Sequence, residues 1–216
     1  TLYMAAQFPN ASITAISNSS TQKEFIMSQA KSRNLHNIEI ITSDINDVTL
    51  EKRYDRAISI EMFEHMRNYE KLLKLISNNL TEKGTLFVHI FGHKQFLYPF
   101  IAEGSKNWMA RHFFTDGIMP SQDIFAYFKN QFIVDKEWVV NGQHYQKTCE
   151  AWLDKTTQNK AKLIPLFKKA YPNASGLDHW CNWRVFFMSC AELFGFNKGE
   201  EWQVYHYLLK KGSDPV

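Results

Sequence analysis

Tyr54-Asp55-Arg56-Ala57-Ile58-Ser59-Ile60-Glu61-Met62-Phe63-Glu64-His65-Met66 decides how the rest of the chain is read. Tyr54 to Ile60 is apolar and β-prone, and Tyr69 to Leu80 is strongly helical. Two carboxylates and an imidazole therefore sit where a strand hands over to a helix. In open α/β sheets the edge outside the carboxyl ends of the strands is where ligands bind. If the stretch winds into a helical turn, Glu61, Glu64 and His65 fall at i, i+3 and i+4 and share one face. That spacing describes an acid/base site, and it equally describes a polar loop with three solvated charges.

Working outward, strands alternate with helices. Thr1 to Ala6 reads as helix and ends at Pro9-Asn10, and Ser12 to Ser17 is a short strand. Asn18 to Thr21 offer N-cap side chains for a helix reaching about Arg33, and Ile38 to Thr42 is a second strand closed by Ser43-Asp44. Tyr54 to Ile60 is the third strand. Thr85 to Phe91 is the fourth, after a turn at Lys83-Gly84. This alternation predicts βαβ units and a parallel sheet.

From Gly92 the pattern changes. Residues 92–131 carry scattered aromatics with Pro99, Gly104, Gly117 and Pro120, which reads as a lid or substrate-binding insertion. Within it, Ser121 is expected to cap a helix to Gln131 with Phe125 and Phe128 on one face. Phe132 to Val140 reads as a returning strand, and Asn141-Gly142 as a turn. Glu150 to Tyr171 is expected to be helical with a break at Pro165, and His179 to Phe194 is a further helix. Gly199 to Lys211 closes as a strand, and Gly212 to Val216 reads as a frayed tail.

Composition excludes several classes. With 216 residues the chain can bury one substantial core. Lys+Arg 25 against Asp+Glu 22 leaves +3 without any basic block, so no nucleic-acid partner is indicated. Cys149, Cys181 and Cys190 match neither a disulfide framework nor a zinc pattern, which fits a reducing, cytoplasmic compartment and no metal. No run is long enough to span a membrane. The 17 Phe, 9 Tyr and 6 Trp concentrate after residue 86 and imply a large core or an apolar pocket.

Six stretches together resemble one family: SNSSTQKEFI at 17–26, SIEMFEHM at 59–66, FVHIFGHK at 87–94, FFTDGIMPS at 113–121, GQHYQKTCEAWL at 142–153 and NWRVFFMSCAELFGFNKGEEW at 182–202. They are similar to the S-adenosylmethionine-dependent enzymes that include cyclopropane fatty-acid synthases, mycolic-acid methyltransferases and plant coclaurine-type N-methyltransferases. The resemblance implies a Rossmann-like class I methyltransferase, a three-layer αβα α/β fold with a helical, aromatic-rich insertion. It also implies that this sequence starts just after the family's first strand and glycine-rich loop. One methyltransferase domain over 1–216 is expected, N-terminally truncated, with 92–131 as its insertion.

The resemblance further implies S-adenosyl-L-methionine as cofactor. Ser17, Asn18 and Gln22 would lie near its ribose and methionine parts, Asp44 and Ile45 would flank its adenine, and Ile60 would join them. Asn18 and Ser19 could instead be simple helix capping and Asp44 a turn. Glu64 and His65 are the expected acid/base groups, helped by Glu61. His89, leaving the fourth strand, is either a site residue or structural. Trp183, Phe186 and Tyr145 would line an aromatic substrate pocket, or else pack the core.

Within the family, Glu61 and the FGFNKGEEW ending look like the N-methyltransferase branch. Lipid cyclopropane synthases have a small residue at Glu61 and a bicarbonate-holding tyrosine near Phe186. A carboxylate at Glu61 would repel that anion. The expected function is methyl transfer to a nitrogen of a small or amphipathic amine. The alternatives are cyclopropanation or other methylation of a lipid, and an inactive fragment that only binds a partner. Contact with a membrane surface is expected only under the lipid reading, and the oligomeric state is left open.

Overall fold

The computed structural model describes residues 1–103, 108–114 and 117–212. They fall into two units, Thr1–Lys52 and Arg53–Val216. Residues 104–107 and 115–116 of the expected insertion, and 213–216 of the expected tail, lie outside the described residues.

The first unit is one βαβ repeat preceded by a short helix: α1 (Leu2–Gln7), β1 (Ile13–Ser17), α2 (Ser20–Ser32) and β2 (Ile38–Thr42). The strands pair in parallel from Ile13↔Ile38 to Ser17↔Thr42. Ser19 rather than Asn18 caps α2, its Oγ accepting the Gln22 N–H at 3.3 Å. The Asn37 side-chain amide donates to the carbonyls of Ala5, Phe8 and Ala11, tying the first helix and the following turn to the start of β2.

The second unit carries β3 (Tyr54–Ile60), α3 (Tyr69–Asn78), β4 (Leu80–His93), β7 (Phe132–Val140) and β8 (Trp202–Lys211) around one sheet of order β3-β4-β8-β7. β3 and β4 are parallel, as expected, but β8 enters between β4 and β7 antiparallel to both, so this sheet is mixed. Helix–strand alternation reports each crossover; it is silent on which way the last strand enters. Lys83-Gly84 is no turn ahead of a strand. β4 already starts at Leu80, and the register jumps from Tyr54↔Leu80 to Arg56↔Thr85.

Side chains alternate across a strand, and the two faces differ. Leu86, Val88 and Ile90 of β4 lie beside Tyr205, Tyr207 and Leu209 of β8, all essentially inaccessible. Phe63, Tyr69 and Phe125 cap this layer with edge-on and tilted ring contacts. Burying each such side chain is worth about 2 kcal/mol, so this face anchors the unit. On the other face lie Phe87, His89 and Phe91 with Leu208, His206 and Val204. Its Phe91–Val204 end is closed by Cys149, Cys190, Ala191 and Phe194 from α5 (Gln143–Gln158) and α7 (Gly176–Gly195).

The insertion leaves β4 at His93 and returns beside it. The His93 N–H donates to Pro120 O at 2.9 Å and the Gln122 N–H to His93 O at 3.0 Å. Between these roots lie β5 (Tyr98–Pro99), α4 (Trp108–His112) and β6 (Ile118–Met119). The helix expected over Ser121–Gln131 is only a 3-10 turn, Ile124–Tyr127. Ser121 bridges to His93 instead of capping, and Phe125 and Phe128 both lie on the Tyr69 ring, which pins a tight turn.

The break expected at Pro165 lies at Asn159, between α5 and α6 (Lys160–Ala170). Asn159 closes the first helix through Nδ2 on Lys155 O and opens the second by accepting from the Lys162 and Leu163 N–H groups. Pro165 sits inside α6.

Candidate active site

β3 ends where Ile60 pairs with His89, and the next backbone N–H, of Glu61, donates to His89 O at 3.0 Å. Glu61 then takes φ +50°, a left-handed conformation that costs a non-glycine residue about 1 kcal/mol. Such strain clusters where geometry serves function. Here it carries the Glu61 carboxylate to His89, with Oε1 3.0 Å from Nε2, close in distance but outside hydrogen-bond geometry.

A 3-10 turn, Phe63–His65, follows. Phe63 is fully buried and fixes the turn, so Glu64 swings inward to 2% exposure and His65 outward to 53% of its side chain. The single helical face expected for Glu61, Glu64 and His65 is therefore not formed. Three residues of 3-10 turn and a left-handed Glu61 give each side chain its own direction. His65 Nε2 lies 3.9 Å from Glu64 Oε1, while Glu61 finds His89 instead.

Glu64 is the most perturbed acid in this corner. Burial, and then the negative charge of Glu61, raise its pKa to about 8. Its Oε2 has no hydrogen-bond partner among the described residues. Burial, and then Glu64, push the Tyr69 hydroxyl up. Tyr145 on α5 is pushed up by burial and then by Glu61, which puts it in electrostatic reach of the same corner. Two carboxyl groups with different environments, one of them protonated at neutral pH, can hold a cation and accept a proton. Among the described residues no group of three His, Cys, Asp or Glu side chains could hold a metal ion.

Trp183 and Phe186 on α7 meet the insertion. Phe186 stacks on Phe113 at 4.2 Å and touches Phe114 at 5.7 Å, and Trp183 meets Phe113 edge-on at 5.0 Å. With Trp152, Lys155, Thr156 and Phe187 they line an open groove of about 400 Å³ between α5 and α7. Tyr145 packs on Phe194 at 4.5 Å, and both it and Phe186 lie against the buried cluster around Phe91. These side chains are thus half wall and half core.

The residues expected to bind cofactor are placed as follows. In the first unit, Ser17 Oγ at the carboxyl end of β1 donates to Gln22 Oε1 at 2.7 Å, and Asn18 is exposed beside them. Asp44, just past β2, accepts from the backbone and side-chain N–H groups of Asn46, with Ile45 between them. In the second unit Ile60 ends β3 and is 61% exposed.

Sequence reasoning missed His206. Its ring lies 4.7 Å from that of His89 at 32°, through a β4–β8 register that no local pattern encodes. It also missed Tyr69, read only as the start of a helix. Phe113 and Phe114 lay inside a quoted motif without a role.

The family model for mycolic acid cyclopropane synthetase matches residues 1–204. (S)-coclaurine N-methyltransferase of Thalictrum flavum subsp. glaucum is 37% identical over 217 residues, covering 98% of this chain and 60% of its own length. The chain thus spans 60% of that relative. A crystal structure of coclaurine N-methyltransferase bound to N-methylheliamine and SAH superposes with a TM-score of 0.90 at 36% identity, over 97% of this chain and 64% of that one. A cyclopropane synthase from Mycobacterium tuberculosis gives 0.78 at 15% identity, over 96% and 72%, a likeness of fold alone. The fold is thus the Rossmann-like α/β fold of class I methyltransferases, and the chain belongs to the mycolic acid cyclopropane synthetase family.

Proposed function

We propose that the chain carries the substrate and cofactor residues of an S-adenosylmethionine-dependent N-methyltransferase acting on a small or amphipathic amine. The observation that carries this reading is the Glu61–His89 pair at 3.0 Å next to the buried Glu64. The Glu61 carboxylate there attracts a cation and repels an anion. The relative bound to SAH, which is S-adenosylmethionine after loss of its methyl, supports the cofactor. The polar side chains of Ser17, Gln22 and Asp44 at strand ends suit ribose hydroxyls and an adenine amino group.

S-adenosylmethionine supplies an electrophilic methyl, and the amine must meet it with a free lone pair. Amines arrive largely as ammonium ions at neutral pH. Once it has lost its own proton, Glu64 holds the ammonium, takes the ammonium proton onto its carboxylate and leaves the nitrogen neutral. Glu61, kept on His89, supplies the second negative charge, and His65 at the exposed rim passes the proton to solvent. Phe186, Trp183 and Tyr145 receive the apolar part of the amine, and their rings attract a cation on their faces. The lipid alternative requires a bicarbonate in this corner. His89 Nε2 already meets Glu61, and Phe186 brings no hydroxyl.

Glu64 stays protonated until pH approaches its pKa of about 8 and becomes a base above it. With S-adenosylmethionine and (S)-coclaurine, kcat/KM is therefore expected to rise with pH through about 8. In Glu64→Gln it falls about a hundredfold and that limb disappears. Equal profiles for the two proteins would remove Glu64 from the mechanism.

A further inference from the structure

His206 has no place in the roles assigned above. It projects from the middle of β8 onto the face that carries His89, its register partner on β4. The two rings lie 4.7 Å apart and 32° from parallel. His206 also meets the Phe87 ring at 5.7 Å, and its register neighbour on β7 is Trp138. Its Nε2 is buried without a hydrogen-bond partner among the described residues. A histidine packed beside two rings with one nitrogen unsatisfied is a poor choice for packing alone, since burying a polar group unpaired costs free energy.

We propose that His206 is a positioning residue: its ring, packed beside Phe87 and His89, fixes the plane of the His89 imidazole so that Nε2 stays close to Glu61 Oε1. The β-strand sets Cα and Cβ of His89 but leaves its terminal torsion broad and roughly two-fold. Without a neighbour on its open side the ring turns, and Nε2 leaves the carboxylate. Burial, and then the charge of His89, both lower the pKa of His206. Both effects disfavour a positive charge on His206 beside His89.

The consequence for turnover rests on the amine-methylation reading; the consequence for His89 does not. The test pairs His206→Ala with His206→Phe, which restores a flat ring without nitrogens. Each is read by kcat and KM with S-adenosylmethionine and (S)-coclaurine, and by the His89 Nε2 resonance in a histidine-selective long-range ¹H–¹⁵N spectrum. His206→Ala is expected to lose about tenfold in kcat with KM unchanged, and to lose or broaden that resonance. His206→Phe is expected to recover both to within about twofold of wild type. Should the alanine variant fail to fold, His206→Val, ringless but suited to a strand, takes its place. An unmoved His89 resonance in the ringless variant, or no recovery in His206→Phe, would overturn the proposal. Absence of wild-type turnover would defeat the amine reading instead, with the resonance still deciding the role of His206.

Discussion

At the scale of single residues, the site turns on the conformation of Glu61. Glycine adopts φ +50° without penalty, and a glutamate there is held against its preference. Glu61→Gly relieves about 1 kcal/mol of strain and gives up a part-exposed contact with His89 worth at most about 0.5 kcal/mol. The variant is therefore expected to be at least as stable as wild type in urea denaturation, while turnover of an amine falls at least about tenfold. A lower denaturation midpoint with full turnover would mean that Glu61 serves the fold and not the chemistry. Glu61, Glu64, His65 and His89 were all legible as candidates, because charged side chains at a strand-to-helix passage stand out in any sequence. Their pairing was not. An i, i+4 argument presumes a helix, and here three residues of 3-10 turn and one left-handed step give Glu61 to His89 and bury Glu64.

At the scale of elements, the insertion meets the site through backbone contact. A Cβ on Gly117 would stand 2.7 Å from the Glu64 carbonyl oxygen and 3.1 Å from the Phe100 ring. β6 thus lies directly on the turn that buries Glu64. Gly117→Ala is expected to push the two apart, costing about 1–3 kcal/mol of stability. It should also let water reach Glu64, bringing its carboxyl pKa down from about 8 toward an ordinary value. Carboxyl titration by ¹³C NMR checks this; an unmoved Glu64 would show that β6 does not seal the turn. The insertion was legible from its aromatics and its glycines and prolines, and the periodic strands and helices were found within a few residues. The helix assigned to Ser121–Gln131 failed because the contacts that decide it come from elsewhere. Ser121 pairs with His93, and Phe125 is claimed by Phe63, Tyr69 and Tyr207.

At the scale of the whole molecule, what a sequence hides is long-range pairing. The order β3-β4-β8-β7, with β8 antiparallel between two neighbours, brings His206 against His89 from more than a hundred positions away in the chain. The same pairing separates one sheet face closed by Phe63, Tyr69 and Phe125 from another that presents the Glu61–His89 pair. The family contains both nitrogen and lipid chemistry, and the proposed amine methylation rests on the charge of that corner. The direct measurement is to supply S-adenosylmethionine with a labelled methyl together with (S)-coclaurine and vesicles of unsaturated phospholipid. The account predicts label on the amine nitrogen and none in the acyl chains. Label in the acyl chains with none on the amine would contradict it.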